Sequence, residues 1–135
     1  MGDYLLDTNH AGTLVTLTNP LRHRVLQRLQ RGDTFAITVP VVAETLFGIG
    51  LLPRAKQNVV EWSALRPNFV CYVPDEADAE SAAALQRSLR RQGRQLETVD
   101  AFIAIVALRY QLVLLTTDKD FAAVPNLKCQ NWFVP

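Results

Sequence analysis

Four acidic residues stand where an α/β chain places its chemistry. Asp7 follows the apolar run Tyr4-Leu5-Leu6, and Glu44 lies in the first turns of the helix expected after residues 34–39. Asp100 lies in the first turn of a helix expected from Val99. Asp118 follows Leu114-Leu115-Thr116-Thr117, with Asp120 two residues on. Two carboxylates about 4 Å apart repel by roughly 4 kcal/mol at an effective dielectric of about 20. Four together must therefore share protons or hold a cation. Oxygen-only donors suit Mg²⁺ or Mn²⁺, and such a site serves phosphate chemistry. Taken singly, each acid has a plainer role. Glu44 and Asp100 complement helix dipoles, and Asp118 and Asp120 suit turns or caps, Asp120 for the short helix before Pro125. Asp7, at a buried strand end, is the hardest to explain that way.

Competing chemistries lack their residues. Cys71 and Cys129 are far apart, with no neighbouring His or Cys at zinc-ligand spacing, and read as reduced thiols. No phosphate loop or dinucleotide fingerprint occurs. Ser63, Ser81 and Ser88 lie in helical segments without a nucleophile-elbow setting. An aspartyl-phosphate enzyme wants a second acid two residues after its nucleophile, whereas Asp7 is followed by Thr8 and Asn9. His10 and His23 read as surface or phosphate-contact residues.

The elements that must carry the acids are legible in the periodicity. Strands are expected at 4–7, 34–39, 69–73 and 112–115, with a short fifth near 127–130. Helices are expected from Thr8 to about Thr18, from Leu21 to Gly32, over 41–49, from Pro53 to about Arg66, over 75–92, and over 99–110 with Thr98 as its cap. The last should bury Val99, Phe102, Ile103, Val106 and Tyr110. Alternating strands and helices imply an α/β three-layer sandwich: a mostly parallel sheet of four or five strands with helices on both faces. In such a fold, strand C-termini and helix N-termini share the ligand-binding edge, which would gather Asp7, Glu44, Asp100 and Asp118. The 135 residues suit one domain spanning 1–135, and 49% hydrophobic content suits a packed core. No apolar run is long enough to cross a bilayer, and the N-terminus has no secretory pattern, so a cytoplasmic setting is expected.

The ordered motifs resemble those of the PIN-domain family, VapC-type branch. Leu5-Leu6-Asp7-Thr8-Asn9 resembles its opening D-T-N, and Val42 to Gly48 its E-x-x-x-G helix. Asp100-Ala101-Phe102-Ile103-Ala104 resembles D-x-x-I-A, Leu115 to Phe121 resembles T-x-D-x-D-F, and Asn131-Trp132 the closing N-W. Phe102 departs from the aliphatic residue usual there. The resemblance implies a Mg²⁺- or Mn²⁺-dependent endoribonuclease, the toxin of a toxin–antitoxin pair, that cleaves RNA. Asp7, Glu44, Asp100 and Asp118 would be its catalytic and metal-site acids, and Thr8, Asn9, Thr116 and Asp120 their support. A homodimer and a small cognate antitoxin are further implications. The alternatives are a PIN nuclease of RNA processing without an antitoxin, another Mg²⁺-dependent phosphoryl hydrolase, or a binding module that has kept the fold.

Two further expectations come from the residues. The net charge of +1 says little, but Arg24, Arg28 and Arg31 share one helical face, as do Arg87, Arg90, Arg91 and Arg94. Such faces are commonly just solvated; Arg24, Arg28, Arg87 and Arg91 are the candidate RNA contacts. Leu46, Phe47, Ile49, Leu51 and Leu52 exceed what one helical stripe buries, and Leu14, Val15 and Leu17 add a second surplus near the cleft, so both suit partner surfaces. Asp7→Asn and Asp100→Asn should each relieve repulsion and stabilise the metal-free fold.

Overall fold

The structure, a computed structural model, describes residues 1–134. Five strands form one wholly parallel sheet in the order β3-β2-β1-β4-β5: β1 (Asp3–Leu6), β2 (Thr34–Thr38), β3 (Val70–Tyr72), β4 (Val113–Leu115) and β5 (Cys129–Gln130). The register pairs Leu5 with Ala36 on one side and with Leu114 on the other. Leu5, Leu6, Ile37, Leu114 and Leu115 are all fully buried, as central strands covered on both faces require. Chain order reverses between β1 and β4, and a crevice opens at the C-terminal ends of such a strand pair.

Among the described residues six α-helices flank the sheet: α1 (Thr8–Ala11), α2 (Pro20–Gln30), α3 (Val39–Leu51), α4 (Ala55–Leu65), α5 (Glu76–Arg91) and α6 (Thr98–Arg109). The expected stops at Gly32 and Gly93 hold. Both glycines have positive φ (95° and 74°), and the next amide returns to the carbonyl five residues back, Asp33 to Arg28 and Arg94 to Leu89. Asn19 caps α2 through Leu21 N, and Asp75 and Asp78 close a capping box at α5. Helices α5 and α6 run antiparallel. Arg109 at the end of α6 bonds both Asp78 oxygens at 3.1 Å, and Gln86 late in α5 donates to Leu96 O, just before α6, at 2.9 Å.

Three expectations need correction. The helix from Thr8 to Thr18 is a single α-turn followed by a 3-10 turn, Gly12–Val15, after which Thr16 is extended. Thr13 Oγ1 donates back to His10 O, and the β-branched run resists helix continuation. Leu14, Val15 and Ile49, expected to be surplus, are in the core; Leu17, Leu46, Phe47, Leu51 and Leu52 are exposed as expected. Helix α6 is apolar nearly all round and buries Ala101, Ile103, Ala104, Val106 and Ala107, while Tyr110 lies exposed and stacks on Tyr72. Glu97, not Thr98, precedes its first turn. Among the described residues no helix is long and apolar enough to cross a membrane.

Candidate active site

The crevice between β1 and β4 is built on Asp7. Its backbone amide continues the sheet to Leu115 O at 3.0 Å, and its side chain caps α1. Asp7 Oδ1 accepts from Thr8 N at 2.8 Å. Asp7 Oδ2 accepts from Thr116 Oγ1 at 2.7 Å and from Asn9 Nδ2 at 3.1 Å. The carboxylate is almost fully buried and held by three donors. Thr116 Oγ1 in turn accepts from Asp118 N at 3.0 Å, which fixes the chain leaving β4. Asp118 then caps the 3-10 turn Lys119–Ala123 by accepting from Asp120 N at 2.9 Å. The cap of that turn is therefore Asp118 and not Asp120, whose side chain is exposed.

The other acids face Asp7 from the helices. Glu44, on α3, is exposed, and its Oε1 accepts from Thr8 Oγ1 at 3.3 Å. Asp100, in the first turn of α6, is half-buried. Burial pushes its carboxyl up to about 6, reinforced by the negative charges of Asp7, Asp118, Glu44 and Glu97. The structure thus brings together the four acids separated in sequence and adds Glu97, which the motifs did not single out. Among the described residues no three acidic, His or Cys side chains lie close enough together to hold a metal ion as they stand. The charges of the acids nonetheless act together on Asp100. Their donor chemistry still fits a hard divalent cation: every donor is a carboxylate oxygen, and the raised Asp100 reports a negative field that a cation would relieve.

His10, expected at the surface, is fully buried. Its Nδ1 lies 2.7 Å from Asn9 Oδ1, and its Nε2 accepts from Trp132 N at 3.1 Å, so the proton belongs on Nδ1. Burial lowers its pKa to about 4, which keeps the ring neutral. Asn9 Oδ1 also accepts from Thr117 N at 3.2 Å. A chain of contacts thus runs from Trp132 through His10 and Asn9 to Asp7. The sequence signal was the closing Asn131-Trp132, although nothing in it named His10 as the receiver.

The candidate RNA arginines separate sharply. Arg28 is tied to the Asp33 carboxylate and donates to Tyr4 Oη at 2.7 Å, beside the N-terminal ends of β1 and β2 and away from the acids. Arg24 lies 3.9 Å over the Trp132 ring. Arg87 and Arg91 are exposed on α5. On the Thr8–Glu44 side of the acids, a groove of about 320 Å³ is lined by Gly48, Ile49, Leu52 and Thr45, whose buried hydroxyl has no partner.

Known proteins carry the same architecture. Over 130 residues the chain is 25% identical to Ribonuclease VapC2 of Rickettsia felis, spanning 96% of this chain and 97% of that protein. It superposes on the crystal structure of VapBC2 from Rickettsia felis bound to a promoter DNA fragment with a TM-score of 0.81 at 24% identity, over 96% of this chain and 98% of that one. A toxin-antitoxin complex from Klebsiella pneumoniae matches with a TM-score of 0.68 at 25% identity, over 92% and 94% of the two chains. The PIN domain profile matches residues 4–127, and the chain belongs to the PIN-domain family.

Proposed function

We propose that this protein is a divalent-metal-dependent endoribonuclease acting as the toxin of a toxin–antitoxin pair. The observation that carries the reading is Asp100, half-buried and facing Asp7, Glu44 and Asp118 at the topological switch of the sheet, with its carboxyl raised to about 6. Asp7, Glu44, Asp100 and Asp118 would hold Mg²⁺ or Mn²⁺. When bound, such an ion polarises a phosphodiester and lowers the pKa of an attacking water.

The chain's own residues do the positioning. Thr116 and Asn9 fix the Asp7 carboxylate, and Thr8 steadies Glu44. Asp100, raised in the metal-free protein, would give up its proton as the cation binds. The relatives, a ribonuclease and a toxin–antitoxin complex, support RNA as substrate and a small antitoxin as partner.

The surface favours a partnered toxin over a stand-alone processing nuclease. Phe47 and Leu51 on α3 and Val60 on α4 are each about 70% exposed, which suits a homodimer interface. The groove beside Glu44 suits an amphipathic antitoxin helix. The test is labelled RNA incubated with the purified protein. Cleavage should vanish in EDTA and return with excess Mg²⁺ or Mn²⁺; cleavage that persists in EDTA refutes the metal mechanism. Pull-down with the neighbouring gene's product tests the partner.

A further inference from the structure

Several arginines are already engaged. Arg22 pairs with Glu61, Arg28 with Asp33 and Arg109 with Asp75 and Asp78, while Arg24 covers Trp132. Arg90, Arg94 and Lys119 are different. Among the described residues they form no ion pair, although Lys119 directly follows Asp118. They also line clefts. One of about 470 Å³ lies between the end of α5 and residues 93–96 and contains Arg90 and Arg94. A second, of about 510 Å³, contains Arg94, Glu97, Lys119 and Asp120. The two share Gly93, Arg94 and Gln95 and so adjoin along that segment as a two-part channel.

The second part of that channel borders the acids. Glu97 is among the charges acting on Asp100, and Lys119 adjoins Asp118. Its wall is fixed rather than loose. Gly93 turns the chain at φ 74°, Arg94 N bonds Leu89 O at 2.9 Å, and Gln86 holds Leu96 O. Arg90 and Arg94 meet no carboxylate in the first cleft, whereas Glu97 and Asp120 accompany Arg94 and Lys119 in the second. Positive charge thus rises away from the acids along a fixed wall, which suits a polyanion reaching the cluster from that side. The apolar groove lies on the other side, by Thr8 and Glu44, and offers no comparable row of cations.

We propose that this channel binds the sugar–phosphate backbone of single-stranded RNA on one side of the cleaved bond, with Arg90, Arg94 and Lys119 contacting phosphates. The proposal rests on the ribonuclease reading and adds the direction from which substrate arrives. Arg87 and Arg91, on the same helix but outside the channel, contribute only a diffuse field.

The test compares two charge-matched variants. One is Arg90→Gln/Arg94→Gln/Lys119→Gln. The other is Arg31→Gln/Arg54→Gln/Lys56→Gln, all three of whose sites are exposed. Binding of a fluorescein-labelled single-stranded RNA is measured in EDTA across a salt series, and cleavage is measured separately with Mg²⁺. Loss of three phosphate contacts should lower the slope of log affinity against log salt by about 2, at about 0.7 per phosphate for a single strand. Affinity should fall at least about tenfold at 0.1 M salt for the channel variant and less than about threefold for the control. In cleavage, the channel variant should raise KM with little change in kcat, and Arg94→Lys should keep near wild-type KM. Equal losses in both variants, or wild-type binding by the channel variant, overturn the proposal. If the wild type cleaves RNA while the channel variant matches it, the proposal falls and the ribonuclease reading stands. If the wild type binds RNA through the channel but cleaves none, the surface stands and the ribonuclease reading falls.

Discussion

Asp100→Asn and Asp7→Asn should move stability in opposite directions, contrary to the sequence expectation that both stabilise. Asp100 is raised from an ordinary 3.8 to about 6. At about 1.4 kcal/mol per pH unit, that corresponds to roughly 3 kcal/mol of destabilisation in its charged form. The group is half-exposed, so solvent screening reduces this to about 1–1.5 kcal/mol. Between pH 3.8 and 6 the native state holds more protons at this site than the unfolded chain does. The penalty is therefore absent below that window, grows through it, and is complete above it. Asp100→Asn should stabilise the metal-free protein by about 1–1.5 kcal/mol at pH 7.5, and the gain should vanish by about pH 4.

Asp7 is the opposite case, because three donors point at its carboxylate. An Asn amide there sets an NH₂ group against donors that have lost their acceptor, and the cost is about 1–3 kcal/mol. Urea denaturation in EDTA, repeated from pH 4 to 8, measures both. An Asp100→Asn protein that is less stable at pH 7.5, or whose gain is flat across that range, refutes the electrostatic account of the site.

His10 gives a second pH signature. Its native pKa of about 4 lies below the ordinary 6.5, so its contribution is intact above pH 6.5 and is lost as pH falls towards 4. In the wild type this acid loss is partly offset by Asp100, so Asp100→Asn should steepen acid destabilisation, as read from the same urea series. His10→Gln, whose side-chain oxygen can still accept from Trp132 N, should keep more nuclease activity than His10→Ala; equal activities would mean that the Trp132–His10–Asn9 chain does not orient Asp7. Activity at limiting metal should fall between about pH 7 and 5 as Asp100 takes up its proton, and a flat profile would count against that carboxyl as a ligand. Phe47→Asp should convert a dimer to a monomer in light scattering while circular dichroism keeps its native helix content, since Phe47 is 71% exposed.

The parallel sheet and the meeting of the four acids were legible because each depends on local pattern plus one general rule. Buried apolar runs mark β1, β2 and β4, and an α/β chain presents strand C-termini and helix N-termini at one edge. Residues 8–18 were misread because apolar spacing alone does not register the Thr13 back-bond or the β-branched run that ends α1 after one turn. On α6, Ile103 and Val106 are buried and Val99 and Phe102 pack on the core as expected, and only Tyr110 departs; a helix apolar nearly all round carries little phase, so its neighbours decide that the alanines are buried too.

The arginines and His10 mark a different boundary. Helical spacing put Arg24 and Arg28 on one face, but it could not reveal that Trp132, over 100 residues away, and the Asp33–Tyr4 pair would engage them. His10 likewise draws its role from Trp132 N. The same limit explains the pair of aspartates. Sequence supplies two like charges on one edge and therefore one expected sign for both substitutions. The sign is instead decided by the donors around each carboxylate, three on Asp7, and those donors come from both ends of the chain, Thr8 and Asn9 at one and Thr116 at the other. Charge is a property of the residue, whereas its cost is a property of the fold, and only the fold separates an acid held by donors from one held against its neighbours.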